Sequence, residues 1–181
     1  MERSSRRAKG LAFWPTLGVV VLADIVSKTL AVRHLSPQYV PHNLFDGSDI
    51  VRLTLAYNPG AAFSMYFGPM SRWVFLALAL IALGVLAAVY RRTKPHDVAR
   101  ALALGLVCAG AVGNVLDRLN VGRPGVVDFI DIGLGDARFY TFNVADIGVS
   151  LGAILLARVL WRDDREPADE QARVLQESGS S

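Results

Sequence analysis

The stretch VVDFIDIGLGDARFYTFNVADIGV, Val126 to Val149, sets the reading of the whole 181-residue chain. It opens on V-V-D-F, a short segment of strand-like composition carrying one carboxylate, Asp128. A Gly-rich turn at Gly133 and Gly135 leads to a long apolar run, Phe139–Ala157, in which Asp146 is the only charge. An ionised carboxylate in hydrocarbon costs about 3 kcal/mol on insertion scales, so an acid in such a run marks function. Asn143 falls three residues before Asp146, on the same helical face. Two acids and an amide converging at a membrane surface are the parts of an acid/base site.

The rest of the chain has the texture that this stretch requires. Apolar residues make up 52% of it and charged residues 19%, against the roughly 25% usual in a soluble domain. The apolar residues gather into four blocks, Leu11–Val32, Trp73–Tyr90, Ala101–Leu116 and Phe139–Ala157. A helix crosses hydrocarbon with about 20 mainly apolar residues, and Ala101–Leu116 lies at the short edge of the range. Period-2 alternation is missing from the blocks, which excludes a closed barrel and leaves helices. The expectation is an all-α membrane protein, one domain over 1–181, with four transmembrane helices at about 11–32, 73–90, 101–116 and 139–161. A small extracytoplasmic β-structure on the outer leaflet completes it.

Charge placement gives the orientation. A net charge of +3 and a pI near 9.3 could suggest a nucleic-acid partner, but the basic residues are sorted by membrane side instead. Arg3, Arg6, Arg7 and Lys9 precede the first block, Arg91, Arg92, Lys94 and Arg100 separate the second and third, and Arg158, Arg162, Arg165 and Arg173 follow the fourth. These twelve of nineteen basic residues share one side, which the positive-inside rule assigns to the cytoplasm. Both termini, 1–10 and 162–181, are then cytoplasmic, and 33–72 and 117–138 face outward. The lone Cys108 sits within the third block and reads as a small buried apolar residue. His34, His42 and His96 are dispersed without zinc spacing, so no metal site is expected.

Along the chain, the basic start MERSSRRAKG reads as a mobile tail, and the apolar run behind it as an uncleaved first helix rather than a signal peptide. Asp24 and Lys28 form an i,i+4 pair in that helix. They read either as a self-neutralising pair at the outer interface, Lys28 snorkelling to water, or as part of a functional centre. Ile50–Tyr57 has strand composition, and Asn58-Pro59-Gly60 makes a turn into the small residues Ala61 and Ala62. A short interfacial helix is expected near Met65–Met70. Gly105, Ala109 and Gly113 in the third helix and Gly148 and Gly152 in the fourth are small-residue faces for helix packing. At the outer end of the third helix, Asn114 and Arg118 share a face with Asp117 beside them, a solvated cap or part of a site. The segment after Trp161 reads as a disordered or loosely helical tail.

The polar residues of the outward ends thus share one depth: Asp24 and Lys28, Asn58, Asn114, Asp117 and Arg118, Asp128, Asn143 and Asp146. The motifs that hold them resemble, in order, those of the bacterial lipoprotein signal peptidases, the signal peptidase II family. They are D-x-x-x-K at Asp24 and Lys28, N-x-G-A-A-F from Asn58, G-N-x-x-D-R from Gly113, V-V-D-F from Val126 and F-N-x-A-D from Phe142. One such motif is a weak signal, whereas five in order over almost the whole chain are specific.

This resemblance implies an aspartic endopeptidase of the bacterial cytoplasmic membrane that cleaves prolipoproteins just before a diacylglyceryl-modified cysteine. Asp128 and Asp146 would be its catalytic pair. Asn58, Gly60, Asn114, Arg118 and Asn143 would line the site, with Asp24, Lys28 and Asp117 in support. The expected partners are lipid-modified prolipoproteins and membrane lipids, not nucleic acid, and the enzyme is expected to be a monomer without cofactor or metal. The residue chemistry agrees: two close carboxylates share a proton, so one can activate water while the other bonds the scissile carbonyl. No Ser or Cys nucleophile with a His partner is apparent. A transporter or proton channel would need a file of ionisable groups across the membrane, and here they form one belt. A non-catalytic scaffold would leave the two isolated acids unexplained.

Overall fold

The computed structural model describes residues 2–60 and 67–178, with side chains over 7–60 and 67–163. Four long helices alternate with short strands: α1 (Glu2–His34), β1 (His42–Phe45), β2 (Ser48–Asn58), α2 (Ser71–Arg92), α3 (Val98–Leu119), β3 (Val126–Leu134), β4 (Ala137–Arg138) and α4 (Val144–Ser178). Segments Arg7–His34, Gly68–Arg92, Val98–Leu119 and Val144–Asp163 are each long and apolar enough to cross a membrane. Leu22, Leu80, Ile81 and Ile154 are more than half exposed on their flanks, as side chains facing lipid rather than water would be.

The third helix is the axis of the bundle, packing against α1, α2 and α4. Small residues make that possible. A Cβ on Gly110 would stand 2.1 Å from the Ala145 carbonyl oxygen, so the α3–α4 crossing depends on hydrogen at that position. Phe13, Ala101, Leu104 and Cys108 form a buried cluster at one end of the bundle, where Cys108 is a packing residue. At the other end Ala31 and Leu35 of α1 meet Leu55, Val127 and Phe129 of the strands. That second cluster clamps the sheet onto the helix ends.

The sheet has the order β1-β2-β3-β4, all antiparallel. Asp46 and Gly47 close the β1–β2 hairpin between Phe45 and Ser48, Gly47 taking a φ of 76°. Between β2 and β3 the register moves from Leu53↔Ile130 to Ala56↔Asp128, leaving one extra residue on β2. Such a bulge re-aims the side chains beyond it.

Several expected boundaries move. The first helix begins at Glu2 rather than near residue 11, and Lys9, assigned to a mobile tail, donates to the Thr93 carbonyl at 2.7 Å and lies over the Tyr90 ring. The third helix gains a turn in front because Asp97 caps it, accepting from the Arg100 amide at 3.0 Å. The fourth begins at Val144 instead of 139: Phe139 and Phe142 are apolar but pair with β3, the Phe142 amide donating to Ile130 at 3.0 Å. It then runs on helically to Ser178, through the expected tail. Gly68–Met70 forms a 3-10 turn, whereas Met65, Ala61 and Ala62 lie outside the described residues.

Candidate active site

The N-terminus of α4 organises the site. Asn143 stands immediately before the helix and Asp146 completes its first turn, and the two cap each other. The Asp146 amide donates to Asn143 Oδ1 at 3.0 Å and the Asn143 amide to Asp146 Oδ2 at 3.2 Å. This reciprocal arrangement satisfies two backbone donors that a helix start leaves open. A third, the Ala145 amide, donates to Asp24 Oδ1 at 2.9 Å. Gly113 opposite makes room for that carboxylate, since a Cβ there would lie 2.4 Å from Asp24 Oδ2. Gly113, read from the sequence as a helix-packing residue and the start of the G-N-x-x-D-R motif, is the notch that admits Asp24.

From this helix start, two asparagines connect the acids. The Asn143 Nδ2 donates to Asp128 Oδ1 at 2.6 Å, and that of Asn114 to Asp146 Oδ1 at 2.8 Å. Asn143 Nδ2 also reaches Asn114 Oδ1 at 3.3 Å, so two amides in series link one aspartate to the other. The Asn58 side chain is a further hydrogen-bond partner of Asp128. Asp128 is 5% exposed, and burial together with the Asp146 charge pushes its carboxyl up to about 7. The bonds from Asn143 and Asn58 and the charge of Lys28 offset only part of that. At neutral pH Asp128 is thus poised to hold a proton.

A buried ionic cluster underlies the amides. Lys28 Nζ is 2.7 Å from Asp24, 2.9 Å from Asp117 and 3.1 Å from Asn114 Oδ1. The expected snorkelling of Lys28 does not occur: the side chain is 2% exposed, because two carboxylates and an amide oxygen outbid water inside the bundle. Nor is Asp117 a solvated cap. It is buried, bonded by Arg123 Nη1 at 2.7 Å and by the Val127 amide at 3.2 Å. With Arg123 included, two acids face two bases. Lys28 and Asn143 both donate to Asn114 Oδ1, which fixes the Asn114 amide with its nitrogen toward Asp146.

Arg118 donates from Nη1 to the Asn114 carbonyl at 3.2 Å and lies over the Phe75 ring. Its buried Nε has no hydrogen-bond partner among the described residues, and the charges of Asp146 and Asp128 act on it. Gly60 is a turn residue rather than a direct contact of the acids. Its φ is 112°, its amide donates to Asn58 Oδ1 at 3.0 Å, and a Cβ would strike the Ser71 backbone at 2.9 Å. An apolar groove of about 270 Å³, bounded by Phe139, Phe142, Ile147 and Leu151, has Asp146 on its wall.

Sequence reasoning singled out neither Arg123 nor the cluster on β3, where Asp131 is held by Arg52 at 3.0 Å and by Arg138 at 2.8 Å. A signal existed for the second, since Asp131 follows Asp128 by three residues and alternation turns the two to opposite faces. For Arg123, in a turn of Gly and Pro, there was none.

Comparison with known proteins adds the family. The family described as signal peptidase (SPase) II matches residues 16–162, most of the chain and every residue of the cluster. The chain belongs to the signal peptidase II family. It is 44% identical over 144 residues to the lipoprotein signal peptidase of Hydrogenovibrio crunogenus, covering 76% of this chain and 78% of that one. With the lipoprotein signal peptidase of Ectopseudomonas mendocina it shares 38% identity over 156 residues, 84% and 89% of the two chains. A solved bacterial membrane enzyme superposes with a TM-score of 0.70 at 28% identity, over 82% of this chain and 87% of the other. The four-helix architecture with its small antiparallel sheet is thus that of a signal peptidase II.

Proposed function

We propose that this protein is a membrane-embedded aspartic endopeptidase that removes signal peptides from diacylglyceryl-modified prolipoproteins, cutting just before the lipidated cysteine. The observation that carries the reading is the Asp128–Asn143–Asn114–Asp146 linkage, with one acid raised to about 7 beside the other. Asp128 holds the shared proton and directs it to the scissile carbonyl, while Asp146 takes a proton from the attacking water. The water oxygen bonds to carbonyl carbon, and the oxyanion that forms is met by the Asp128 proton and by Arg118. Collapse breaks the C–N bond as the carboxyl of Asp146 returns its proton to the leaving nitrogen. Asn143 and Asn114 keep the two carboxylates in place and Asn58 steadies Asp128.

In this reading the enzyme acts as a monomer, and a single chain supplies every residue of the cluster. The lipid tails stay in the bilayer along the helices, and the groove beside Asp146 takes apolar parts of the substrate. Both termini face the cytoplasm and the aspartates lie near the extracytoplasmic surface, as the distribution of basic residues supports. A reporter in the 91–100 connection should then read cytoplasmic and one in the 47–49 turn external; a turn reporter found inside would overturn the orientation. The activity is tested by incubating the purified protein with a diacylglyceryl-modified prolipoprotein. A product shortened at the modified cysteine is expected, and an uncut substrate would overturn the proposal.

A further inference from the structure

Asp117, buried in the last turn of α3, stands behind both aspartates and is tied to each by a different route. Its Oδ2 accepts from the Val127 amide at 3.2 Å, and Val127 immediately precedes Asp128. The same oxygen is 2.9 Å from Lys28 Nζ, which donates to Asn114 Oδ1 at 3.1 Å. Asn114 Nδ2 in turn donates to Asp146 Oδ1 at 2.8 Å. One carboxylate oxygen is thus the common reference for the strand that carries one acid and for the amide that holds the other. The second oxygen, Oδ1, is taken by Arg123 Nη1 at 2.7 Å, so the carboxylate cannot turn without breaking an ion pair.

Val127 shows why the strand needs this anchor. It is fully buried and stands opposite Tyr57 of β2. Alternate residues of an antiparallel strand turn their amides and carbonyls away from the neighbour, and those of Val127 go to side chains. The amide donates to Asp117, and the carbonyl accepts from Asn143 Nδ2 at 3.3 Å. Left open, both groups would be unsatisfied in the interior. Because Asp117 belongs to α3 and Asn143 precedes α4, the two bonds fix Asp128 against both helices. Neutralising Lys28 and Arg123 would need only some carboxylate. Meeting Val127 and Lys28 with one oxygen also fixes the length of the side chain.

We propose that Asp117 is a positioning residue that sets the separation of the Asp128 and Asp146 carboxyls, through the Val127 amide on one side and through Lys28 and Asn114 on the other; this role rests on the two acids being the reacting pair. The test follows ionisation of Asp128 in the full chain in detergent, by the infrared band of the protonated carboxyl that Asp128→Asn removes. That carboxyl is faced by Asp146 from α4, Lys28 from α1 and Arg118 from α3, with Asn58 and Asn143 as neutral partners. The Asp146 charge helps push it up to about 7, so its midpoint reports the separation.

Asp117→Glu keeps the charge beside Lys28 and Arg123 but adds a methylene, so β3 must move or the Val127 bond must break. The midpoint is expected to fall by about 1 as Asp146 acts from further away. With a diacylglyceryl-modified prolipoprotein, kcat should fall about a hundredfold while KM changes less than about threefold. Asp117→Asn/Arg123→Gln removes the ion pair but keeps an oxygen for Val127 and Lys28. Its midpoint should stay within about 0.5 of the unaltered value, and it should cleave about tenfold or more faster than Asp117→Glu. If Asp117 only balances charge, the order reverses: the Glu variant matches the unaltered protein and the Asn/Gln variant is impaired, which overturns the proposal. Failure of the unaltered protein to cleave would instead sink the peptidase reading, and the infrared midpoints still judge the geometry. Should Asp117→Glu not fold, the Asn/Gln variant decides: a midpoint held near about 7 supports the role, and one displaced by about 1 or more rejects it.

Discussion

Asp128 and Asp131 lie three residues apart on β3, with 5% and 6% exposure, yet their carboxyls move in opposite directions. Both are penalised by burial. Asp128 then meets the charge of Asp146 and is pushed up to about 7, its neutral amide partners recovering only part. For Asp131, hydrogen bonds and charges from Arg138 and Arg52 outweigh the burial and hold the carboxyl below its ordinary value. Burial therefore sets the stakes and the partner sets the sign. One acid is held where it keeps a proton and the other where it stays an anion, and alternation along a single strand is enough to give them separate surroundings.

The largest effect should separate these two acids by activity. Asp128→Asn or Asp146→Asn is expected to lower cleavage of a lipid-modified prolipoprotein on the order of a thousandfold or more, with the fold retained. Asp131→Asn, measured beside them, should keep cleavage within about tenfold and lose stability instead, leaving Arg52 and Arg138 short of their anion. Substantial turnover by the Asp128 variant would remove that residue from the proposed role.

Next comes the ionic cluster beneath the site. Lys28→Met takes the paired cation from Asp24 and leaves Asp117 with Arg123, and should cost about 3–5 kcal/mol in thermal or denaturant unfolding in detergent. Adding Asp24→Asn should restore part of the loss, because one acid then faces one base. If the double variant is no more stable than Lys28→Met, charge balance is not what Lys28 contributes.

The pH dependence sharpens the comparison further. Between pH 3.8 and about 7 folded Asp128 keeps a proton that the unfolded chain has released. Its contribution to stability is fully present below pH 3.8 and is lost as pH rises through about 7. Asp131 has the opposite sign: its contribution is present above the ordinary carboxylate range and disappears as pH falls through its depressed value. Asp128→Asn should accordingly flatten the fall in stability between pH 3.8 and about 7, and Asp131→Asn the acid limb. Cleavage by the unaltered protein should decline above about pH 7, as Asp128 loses the proton offered to the substrate. A fall over that range unchanged in the Asp128 variant would mean that another group titrates there.

The smallest expected change is Arg52→Ala. The guanidinium is about a fifth exposed and Arg138 remains on Asp131, so about 1 kcal/mol of stability should be lost with cleavage unaffected. A loss of several kcal/mol would make the sheet cluster as critical as the one around Lys28.

The sequence by itself determined the four spans and the polar residues at their ends. Apolar runs long enough to cross a bilayer can be counted, and acids, amides and cations that interrupt them are costly enough to stand out. Asp24, Lys28, Asn114, Asp117, Asn143 and Asp146 are legible in this way, and Asp128 and Asn58 through their motifs. Where a helix starts was less legible. Phe139 and Phe142 are as apolar as the residues behind them, and only hydrogen bonds to β3 keep them out of α4. Only the tertiary structure decided which partner each charge would have. Lys28 could have reached water from the end of α1, but the α1–α3 packing puts Asp117 and Asn114 beside its ammonium and buries it. Asp128 and Asp131 read alike as acids on one strand. Their difference comes from Asp146, 18 residues ahead of Asp128, and from Arg52, 79 residues behind Asp131, and through-space electrostatics at a few ångströms cannot be read from either separation.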